Sequence, residues 1–373
     1  MLAYLDHAAT TPLRSEALEA MLPFLTEHFG NPSGAHRLSR TARTALDEAR
    51  DTVAEGLGCE PGEVVFTGGG TEADNLALFG VLARRPGRVV CTAVEHHAVL
   101  HATRALGGAE VAVTAAGVVD LDALAEHLDA SVAVVSVMLA NNEVGTIQPL
   151  DRVVDLVRER APGAAVHTDA VQAFPWLDVA TIASEADLVA VSGHKFGGPK
   201  GVGALVVRTG VDVEPILHGG GQERGRRSGT HNVAGIVGLA AAVRATVSER
   251  EATVARVRGL RDRLADRLLA AVPATTETGD RGGKVAGSCH LRFSGVESEA
   301  LLVLLDDAGV CASAGSACAS GATEPSHVLA AMGVDPSDAR SSVRLSLGTT
   351  TTEDEVDLAV KAVVDAVHRL REG

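Results

Sequence analysis

The sequence predicts an α/β protein with two parts: a large domain, whose mostly parallel seven-stranded sheet is flanked by helices, and a smaller α+β domain. Short apolar segments alternate with helical patterns from about residue 36, and this alternation changes after about residue 250. The chain has 40 glycines but one Trp and one Tyr in 373 residues, which favours close helix–sheet packing. Such alternation is typical of a doubly wound sheet, and a chain of this length usually forms two domains.

The large domain is predicted over residues 14–250. Its first helical pattern, over residues 36–58, places Leu38, Leu46 and Leu57 on one face. Asp120 is placed as the N-cap of a later helix. Seven apolar segments provide the strands, and the fourth is typical of a fully buried strand. In chain order they are EVVF, RVVCTAV, EVAV, SVAVVSVM, AAVHTDA, DLVAVSG and GALVVR.

The small domain is predicted to combine residues 1–13 with residues 251–373. A long charged helix leads into the segment CHLRFSG, a helical ESEALLVLLDDAG, a cysteine-bearing loop at about 312–325, and SSVRLSLG. The C-terminal segment is an amphipathic helical pattern whose charges indicate a solvated face. We expect this domain to close over the large one.

Composition excludes several classes of protein. The net charge of −15 disfavours direct nucleic-acid binding, and the longest apolar stretch, SVAVVSVMLA, is too short to span a membrane. The first residues do not have the pattern of an export signal. The five cysteines are odd in number and lack CxxC spacing, which indicates a reducing compartment. We therefore expect a cytoplasmic protein.

Four groups of polar residues follow predicted strands, at the sheet edge where open α/β proteins bind cofactors. Thr71 follows a Gly turn, Asp169 lies just past the apolar part of AAVHTDA, Lys195 follows DLVAVSG, and His96 follows RVVCTAV. Each has a structural alternative when taken singly. In the same order, the alternatives are a Gly turn that only reverses the chain, a helix N-cap, a surface lysine and a residue that begins a helix.

Together the four groups match the needs of one cofactor. Backbone amides at a helix start bind phosphate, and a desolvated lysine amine is nucleophilic. A carboxylate can keep a pyridine nitrogen protonated, and an imidazole can lie over the ring and move protons. The sequence therefore predicts a pyridoxal phosphate site.

Nine sequence blocks, in order from residue 4 to about 348, carry a resemblance to a known family. They are YLDHAATTP, GGGTEADN, EHHAVL, ANNEVGTIQP, HTDAVQ, SGHKFGGPKG, HGGGQERGRRSGT, SAGSACASGATEPSHVL and SSVRLSLG. The chain resembles the cysteine desulfurases of the NifS/IscS type, which are class V pyridoxal phosphate enzymes of fold type I. GSAC followed by PSHVL narrows the resemblance from class V to the desulfurases.

The resemblance implies roles for the reacting residues. Lys195 would attach the cofactor and then remove the substrate's Cα proton, His96 would stack on the ring, and Asp169 would pair with its nitrogen. Arg344 would bind the carboxylate of L-cysteine. Cys318 would take the sulfur as a persulfide, leaving L-alanine, and His96 is the candidate acceptor for its thiol proton.

Further positions are implied around the cofactor and at an interface. Asn142 and Gln172 would contact the side of the ring that carries the phenolic oxygen, with Asn142 also at the substrate. A homodimer is implied, in which Thr230 reaches the phosphate of the neighbouring subunit. The residues implied around the phosphate within one subunit are Gly70, Thr71, Ser192 and His194.

The loop around Cys318, SAGSACASG, contains only small neighbours, which give the backbone freedom for the thiol to reach into the site and out again. Cys91, Cys289 and Cys311 lie in apolar settings typical of buried thiols. The persulfide would pass to a sulfur-acceptor or scaffold protein, and Cys318 could then serve as a transient iron–sulfur ligand. Since one helix follows SSVRLSLG, we do not expect a longer scaffold-docking extension.

Several alternatives stay open from the sequence. The chain could be a selenocysteine lyase, another class V aminotransferase, or a cofactor-free scaffold that only binds a partner. Arg344 could form an internal salt bridge instead of binding substrate. The segment HGGGQERGRRSGT could be a solvated basic loop, although a cation cluster in so acidic a chain favours a phosphate or an interface nearby.

Overall fold

A seven-stranded sheet and a smaller three-stranded sheet organise the computed structural model, which describes residues 2–314 and 326–372. The strands are β1 (Ala3–Tyr4), β2 (Val64–Thr67), β3 (Arg88–Thr92), β4 (Ala109–Val111), β5 (Val132–Ser136), β6 (Ala165–Asp169), β7 (Leu188–Ser192), β8 (Gly203–Val207), β9 (Thr275–Glu277), β10 (Ser288–Phe293), β11 (Val310–Cys311) and β12 (Ser342–Ser346).

The helices of the described residues include one that is far longer than the rest, α8. In chain order they are α1 (Ser15–Thr26), α2 (Arg37–Leu57), α3 (Gly70–Arg84), α4 (His97–Ala105), α5 (Leu121–His127), α6 (Leu150–Arg160), α7 (Val179–Ile182), α8 (Val233–Ala271), α9 (Ser298–Asp307), α10 (His327–Ala331), α11 (Pro336–Arg340) and α12 (Glu353–Glu372).

The large sheet has the strand order β2-β8-β7-β6-β5-β3-β4 and confirms the predicted mostly parallel, seven-stranded sheet. Strands β7, β6, β5, β3 and β4 run parallel to their neighbours within this series. Strand β8 is antiparallel to both β2 and β7, so the parallel order ends at this side of the sheet. Every residue of β5, β6 and β7 is buried, as expected for strands covered on both faces.

Helix α2 shows how the sequence pattern becomes packing. Leu46, Val53 and Leu57 are buried in a first apolar core, which lies against the large sheet, while Leu38 is half-buried near the helix start. The helix ends at Gly58, whose φ of 62° lies in the left-handed region that favours glycine at a C-cap. Asp120, as predicted, caps α5 by accepting from the backbone N–H groups of the helix's first turn.

A second apolar core lies around the small antiparallel sheet, whose order is β12-β10-β9. Strand β1 pairs with β11, so Ala3 and Leu5 join this core together with α9 and α12. Helix α8 crosses from one core to the other: Val243 packs in the first and Val257 in the second. The domain boundary at residues 250/251 therefore stays a prediction, and it falls inside one continuous helix.

Helix α1 presents apolar side chains to solvent. Leu18, Leu22 and Leu25 follow one another at helical spacing and are 45, 48 and 59% exposed, and Phe29, three residues after the helix ends, is 71% exposed. The opposite side of α1 packs on α8, with Ala17 buried in the first core. Within the part of the chain that the structure describes, none of the helices is both long and apolar enough to cross a membrane.

Candidate active site

The carboxyl ends of the central strands meet at a cavity of about 380 Å³. Strand β6 ends at Asp169 and β7 at Ser192, and parallel neighbours bring such ends to one edge of the sheet. The cavity has the size of a small-ligand site. The lining residues that the sequence predicted are Gly70, Thr71, His96, Asn142, Asp169, Gln172, Ser192, His194, Lys195 and Arg344.

A glycine turn shapes one end of this cavity. Gly69 has a φ of 149°, and a Cβ on Gly70 would lie 2.9 Å from Cγ2 of Val171. The turn leads into α3, and no side chain of the described residues caps that helix. Its first amides are therefore available to an anion, beside Thr71 and Ser192. This end has the chemistry of a phosphate seat.

Lys195 stands in a short 3-10 turn directly after β7. Its Nζ donates hydrogen bonds to the carbonyl oxygens of Ala8 at 2.6 Å and Ala9 at 2.9 Å. The preceding residue, His194, places Nδ1 3.2 Å from the hydroxyl of Thr10. The N-terminal segment therefore forms one wall of the cavity and holds the lysine amine inside it.

Asp169 is a buried carboxyl, 5% exposed, whose Oδ1 accepts from the N–H of Val171 at 2.8 Å. The bond caps a turn and not a helix. Burial raises the pKa of Asp169 to about 6, against the opposing effects of the Val171 bond and of Lys195. A carboxyl in this situation gains from a cationic partner in the cavity.

His96 is the N-cap of α4, and its Nδ1 accepts from the N–H of Ala98 at 3.1 Å. The helix-start alternative is thus realised, and the same side chain also lines the cavity. Burial, followed by the charges of Lys195 and His327, lowers the pKa of His96 to about 4. Because Nδ1 accepts, the neutral ring carries its proton on Nε2. His96 therefore presents a donor, and its role as proton acceptor stays a prediction.

Arg344 lies in β12 and is only 3% exposed. Its Nη2 donates to Oδ1 of Asp6 at 2.8 Å, and its Nη1 donates to the carbonyl of Asn142 at 2.9 Å. The internal salt bridge considered from the sequence is present. Nε has no hydrogen-bond partner among the described residues, although the side chain lines the cavity. Nη1 and Nη2 each keep a second N–H group, which an anionic substrate group could bind.

Two predicted site residues are not among those that line the cavity. Thr230 is exposed, and Cys318 lies outside the described residues. The arginines of the basic segment around Thr230 contact groups of the same chain: Arg227 pairs with Glu72 at 2.7 Å, and Arg224 donates to the carbonyl of Gly62. These contacts are those of a structured loop.

The other thiols behave in part as predicted. Cys91 and Cys289 are buried, and burial raises the pKa of both. Cys311 was expected to be buried but is half-exposed at the end of β11, although its pKa is also raised by desolvation.

Sequence reasoning missed the buried acids near the cavity. Asp74, Glu95 and Glu143 are each at most 2% exposed, and His167 is fully buried. Burial raises the pKa of Glu95 to about 8 and lowers that of His167 to about 3. Asp74 and Glu143 stand inside the blocks GGGTEADN and ANNEVGTIQP, which is the one signal that could have found them.

The residues present fit pyridoxal phosphate. The glycine turn and uncapped helix start suit a phosphate, the buried Asp169 suits a protonated ring nitrogen, and the half-buried Lys195 amine suits covalent attachment. The fold and the site define a pyridoxal-phosphate-dependent enzyme of fold type I.

Comparisons with known proteins agree. The model of the class V aminotransferase family matches residues 3–359. The IscS-like cysteine desulfurase of Mycobacterium tuberculosis is 48% identical over 385 residues, covering 99% of this chain and 97% of that protein. The chain belongs to the class V aminotransferases and, within them, to the cysteine desulfurase family of the IscS and NifS type.

Solved structures show the same relationship. A NifS-like protein aligns with a TM-score of 0.93 at 36% identity, covering 99% of this chain and all of that one. SspA, solved in complex with cysteine, aligns with a TM-score of 0.80 at 30% identity, covering 94% of this chain and all of that one.

Proposed function

We propose that this enzyme removes the sulfur from L-cysteine, releases L-alanine and holds the sulfur as a persulfide on Cys318. The observation that carries the proposal is a single cavity that is lined by Lys195, Asp169, His96 and Arg344. An amine, a carboxylate, an imidazole and a guanidinium are the groups needed to bind a cofactor and an amino acid together.

The residues that line the cavity indicate how the cofactor would be held. Pyridoxal phosphate, when bound, supplies an electron-accepting ring that stabilises negative charge at a substrate's Cα. Asp169 would hold the ring nitrogen protonated, and Lys195 would attach the cofactor. Asn142 and Gln172, which also line the cavity, would contact the side of the ring that carries the phenolic oxygen. The phosphate would be held by Gly70, Thr71, Ser192 and His194.

Arg344 would orient the substrate. Its guanidinium is buried and fixed between Asp6 and the carbonyl of Asn142, so it does not need to reorganise to meet a carboxylate. With the carboxylate held there, the amine of Lys195, which lines the same cavity, would remove the Cα proton. His96, with its proton on Nε2, would donate a hydrogen bond into the site.

The sulfur step balances without an added oxidant. The thiolate of Cys318 attacks the sulfur of the substrate, an S–S bond forms, and the substrate's Cβ–S bond breaks with its electron pair going to carbon. Two protons supplied within the site complete L-alanine, so that L-cysteine and one protein thiol become L-alanine and one persulfide.

A homodimer is the second part of the proposal. The exposed apolar side chains Leu18, Leu22 and Leu25 on α1, with Phe29 shortly after the helix, form an apolar surface that a second copy of the chain could cover. Thr230 is exposed and absent from the cavity of its own subunit, as a residue that serves the neighbouring subunit would be. The substitution Leu22→Glu should shift sedimentation toward the monomer, whereas unchanged sedimentation would argue against this interface.

The destination of the sulfur belongs to the proposal as well. We place the enzyme in the cytoplasm, where its unpaired thiols would stay reduced, and expect the persulfide to pass to an acceptor or scaffold protein. A transient role of Cys318 as an iron–sulfur ligand would arise in such a complex. Capture of partners with the persulfidated protein, compared with the Cys318→Ser protein, tests this part.

The experiment that tests the main reaction compares two cysteine variants. Cys318→Ser should keep the absorbance of the bound cofactor but form neither persulfide nor alanine from L-cysteine. Cys311→Ser, a half-exposed thiol of the same domain, should keep both. Normal sulfide release by Cys318→Ser in the presence of dithiothreitol would contradict the proposal. Measuring alanine without any keto acid separates the reaction from transamination.

A further inference from the structure

A second buried carboxyl lies beside Asp169, and the proposed reaction does not use it. Asp74 stands near the start of α3, is 1% exposed and lines the same cavity. One oxygen of Asp74, one oxygen of Asp169 and one ring nitrogen of His96 all lie within 4.8 Å of one another. Two acidic groups therefore share a site that has little access to water.

The surroundings of Asp74 do not suit a charged carboxylate. Among the described residues, its Oδ1 has no hydrogen-bond partner. Nε2 of His167 lies 3.5 Å from that oxygen and also has no partner, whereas Nδ1 of His167 is 2.8 Å from the hydroxyl of Ser136. An ionised carboxylate that is buried without hydrogen bonds is strongly destabilising.

The titratable groups around Asp74 also disfavour its ionised form. Glu95 and Asp169 are the acidic groups that act on it, and His96 and His167 are the basic ones within reach. Burial first, then Asp169 and Glu95, raise the pKa of Asp74 well above its usual value. Both histidines have lowered pKa values and are neutral, so they supply no compensating charge.

We propose that Asp74 is a positioning residue that stays a neutral carboxylic acid, so that the Asp74–Asp169 pair carries a single negative charge and that charge rests on Asp169. The neutral form lets Asp74 point its O–H at the lone pair of His167 Nε2, while Nδ1–H of His167 points at Ser136. Oδ1 of Asp74 and Nε2 of His167, which have no other partner among the described residues, then face each other as donor and acceptor. The inference rests on the proposed function, because the pairing of Asp169 with a ring nitrogen gives the single charge its use.

Infrared spectroscopy of the cofactor-free protein tests the protonation state directly. At about pH 7 the wild-type protein should show carbonyl stretches of buried protonated carboxylic acids, to which Glu95 also contributes. Asp74→Asn should lose one of these bands, and Glu95→Gln should keep that band while it loses its own. If Asp74→Asn instead keeps every protonated-acid band and loses carboxylate absorption, the proposal is overturned. Because no cofactor or substrate is present, this result is independent of whether the chain desulfurates cysteine.

Cofactor affinity tests the positioning role. Asn has the shape of the neutral acid, so the dissociation constant of pyridoxal phosphate for Asp74→Asn should stay within about threefold of wild type, whereas Asp74→Ala should weaken it by about tenfold or more. A larger loss for Asp74→Asn than for Asp74→Ala would mean that a charge at Asp74 is required, which contradicts the proposal. If Asp74→Asn does not fold, aspartate-selective ¹³C-carboxyl spectra of the wild-type protein give the same decision: a buried aspartate with the shift of a protonated acid supports it, and carboxylate shifts alone overturn it.

Discussion

The guanidinium of Arg344 is held by the carboxylate of Asp6, with 2.8 Å between Nη2 and Oδ1, at the wall of the cavity that also contains Lys195. This contact joins β12 of the small sheet to the N-terminal segment. Nε of Arg344 has no hydrogen-bond partner among the described residues. The salt bridge thus orients the arginine and does not exhaust its donors.

Arg344→Lys should weaken substrate binding. An ammonium cannot bind a carboxylate in the planar, bidentate way of a guanidinium, so the KM for L-cysteine should rise by about ten- to a hundredfold while the cofactor absorbance stays unchanged. Arg292→Lys is the matched variant, since Arg292 lies in the neighbouring strand β10 and pairs with Asp338 away from the cavity. Steady-state kinetics that show equal KM values for both variants would exclude Arg344 as the carboxylate ligand.

Gly70→Ala should lower cofactor affinity. The added Cβ would lie 2.9 Å from Cγ2 of Val171, so the turn that forms the phosphate seat would have to shift. We expect the dissociation constant of pyridoxal phosphate to rise by about tenfold.

Gly259→Ala provides the comparison for this glycine. A Cβ on Gly259, inside α8, would meet no atom within 4 Å, so this change should leave affinity alone and stabilise the fold slightly. Fluorescence titration of both cofactor-free variants measures the difference. Unchanged affinity in Gly70→Ala would mean that the turn is not at the phosphate.

His96 has a capping role and a proposed role in the reaction, and two substitutions separate them. His96→Asn keeps a good N-cap for α4, so its free energy of unfolding should stay within about 0.5 kcal/mol of wild type. Its kcat should nevertheless fall by about a hundredfold or more, because the ring that carries the Nε2 proton is lost. His96→Ala should lose activity and about 1 kcal/mol of stability. A fully active His96→Asn enzyme would leave only the capping role.

Glu95 should make the cofactor-free protein less stable at high pH. Burial raises its pKa from 4.5 to about 8, against hydrogen bonds from Met138 and Thr92. A raised folded-state value means that the stabilisation is complete below about pH 4.5 and is lost as the pH rises toward 8. The contribution of Glu95 to the free energy of unfolding should therefore fall between about pH 5 and about pH 8, by up to about 1.4 kcal/mol per pH unit. Buried neutral histidines such as His96 and His167 act in the opposite direction below about pH 6.5, so the contribution is measured as a difference between variants.

Urea unfolding of variants checks the assignment to Glu95. Glu95→Gln cannot ionise, so its free energy of unfolding should rise relative to that of the wild-type protein as the pH increases over the same range. Glu63→Gln should keep the wild-type slope. Glu63 is buried, but hydrogen bonds from Thr209 and the charge of Arg208 lower its pKa, so it titrates below this range. A wild-type slope in Glu95→Gln would assign the effect to another group.

The strands of the large sheet could be predicted because each is a run of apolar residues that ends at a turn. SVAVVSVM contains β5, and AAVHTDA contains β6 with Asp169 at its end. The direction of β8 could not be predicted, because a buried run looks the same in a parallel and an antiparallel strand. Helix α1 was not predicted; it contains Pro23, a residue that usually ends a helix and so argues against one in the sequence.

The site residues that could be predicted are those that follow strands, such as Lys195 and His96. Asp74 and His167 lie inside the blocks GGGTEADN and HTDAVQ, but periodicity did not single them out, because burial of one polar residue within a helix or strand leaves no period in the sequence. The contact between Asp6 and Arg344 joins residues 338 positions apart, and no local pattern contains it. These long-range contacts fix how the predicted side chains face one another.

The most direct test of the account is the position at which the cofactor is attached. The chain has four lysines, Lys195, Lys200, Lys284 and Lys361, so peptide mapping after borohydride reduction of the enzyme with pyridoxal phosphate bound gives an unambiguous answer. We predict that the reduced cofactor is found on the peptide that contains Lys195 and that Lys195→Ala retains none. A label on any other lysine, or none on the wild-type protein, would contradict the account.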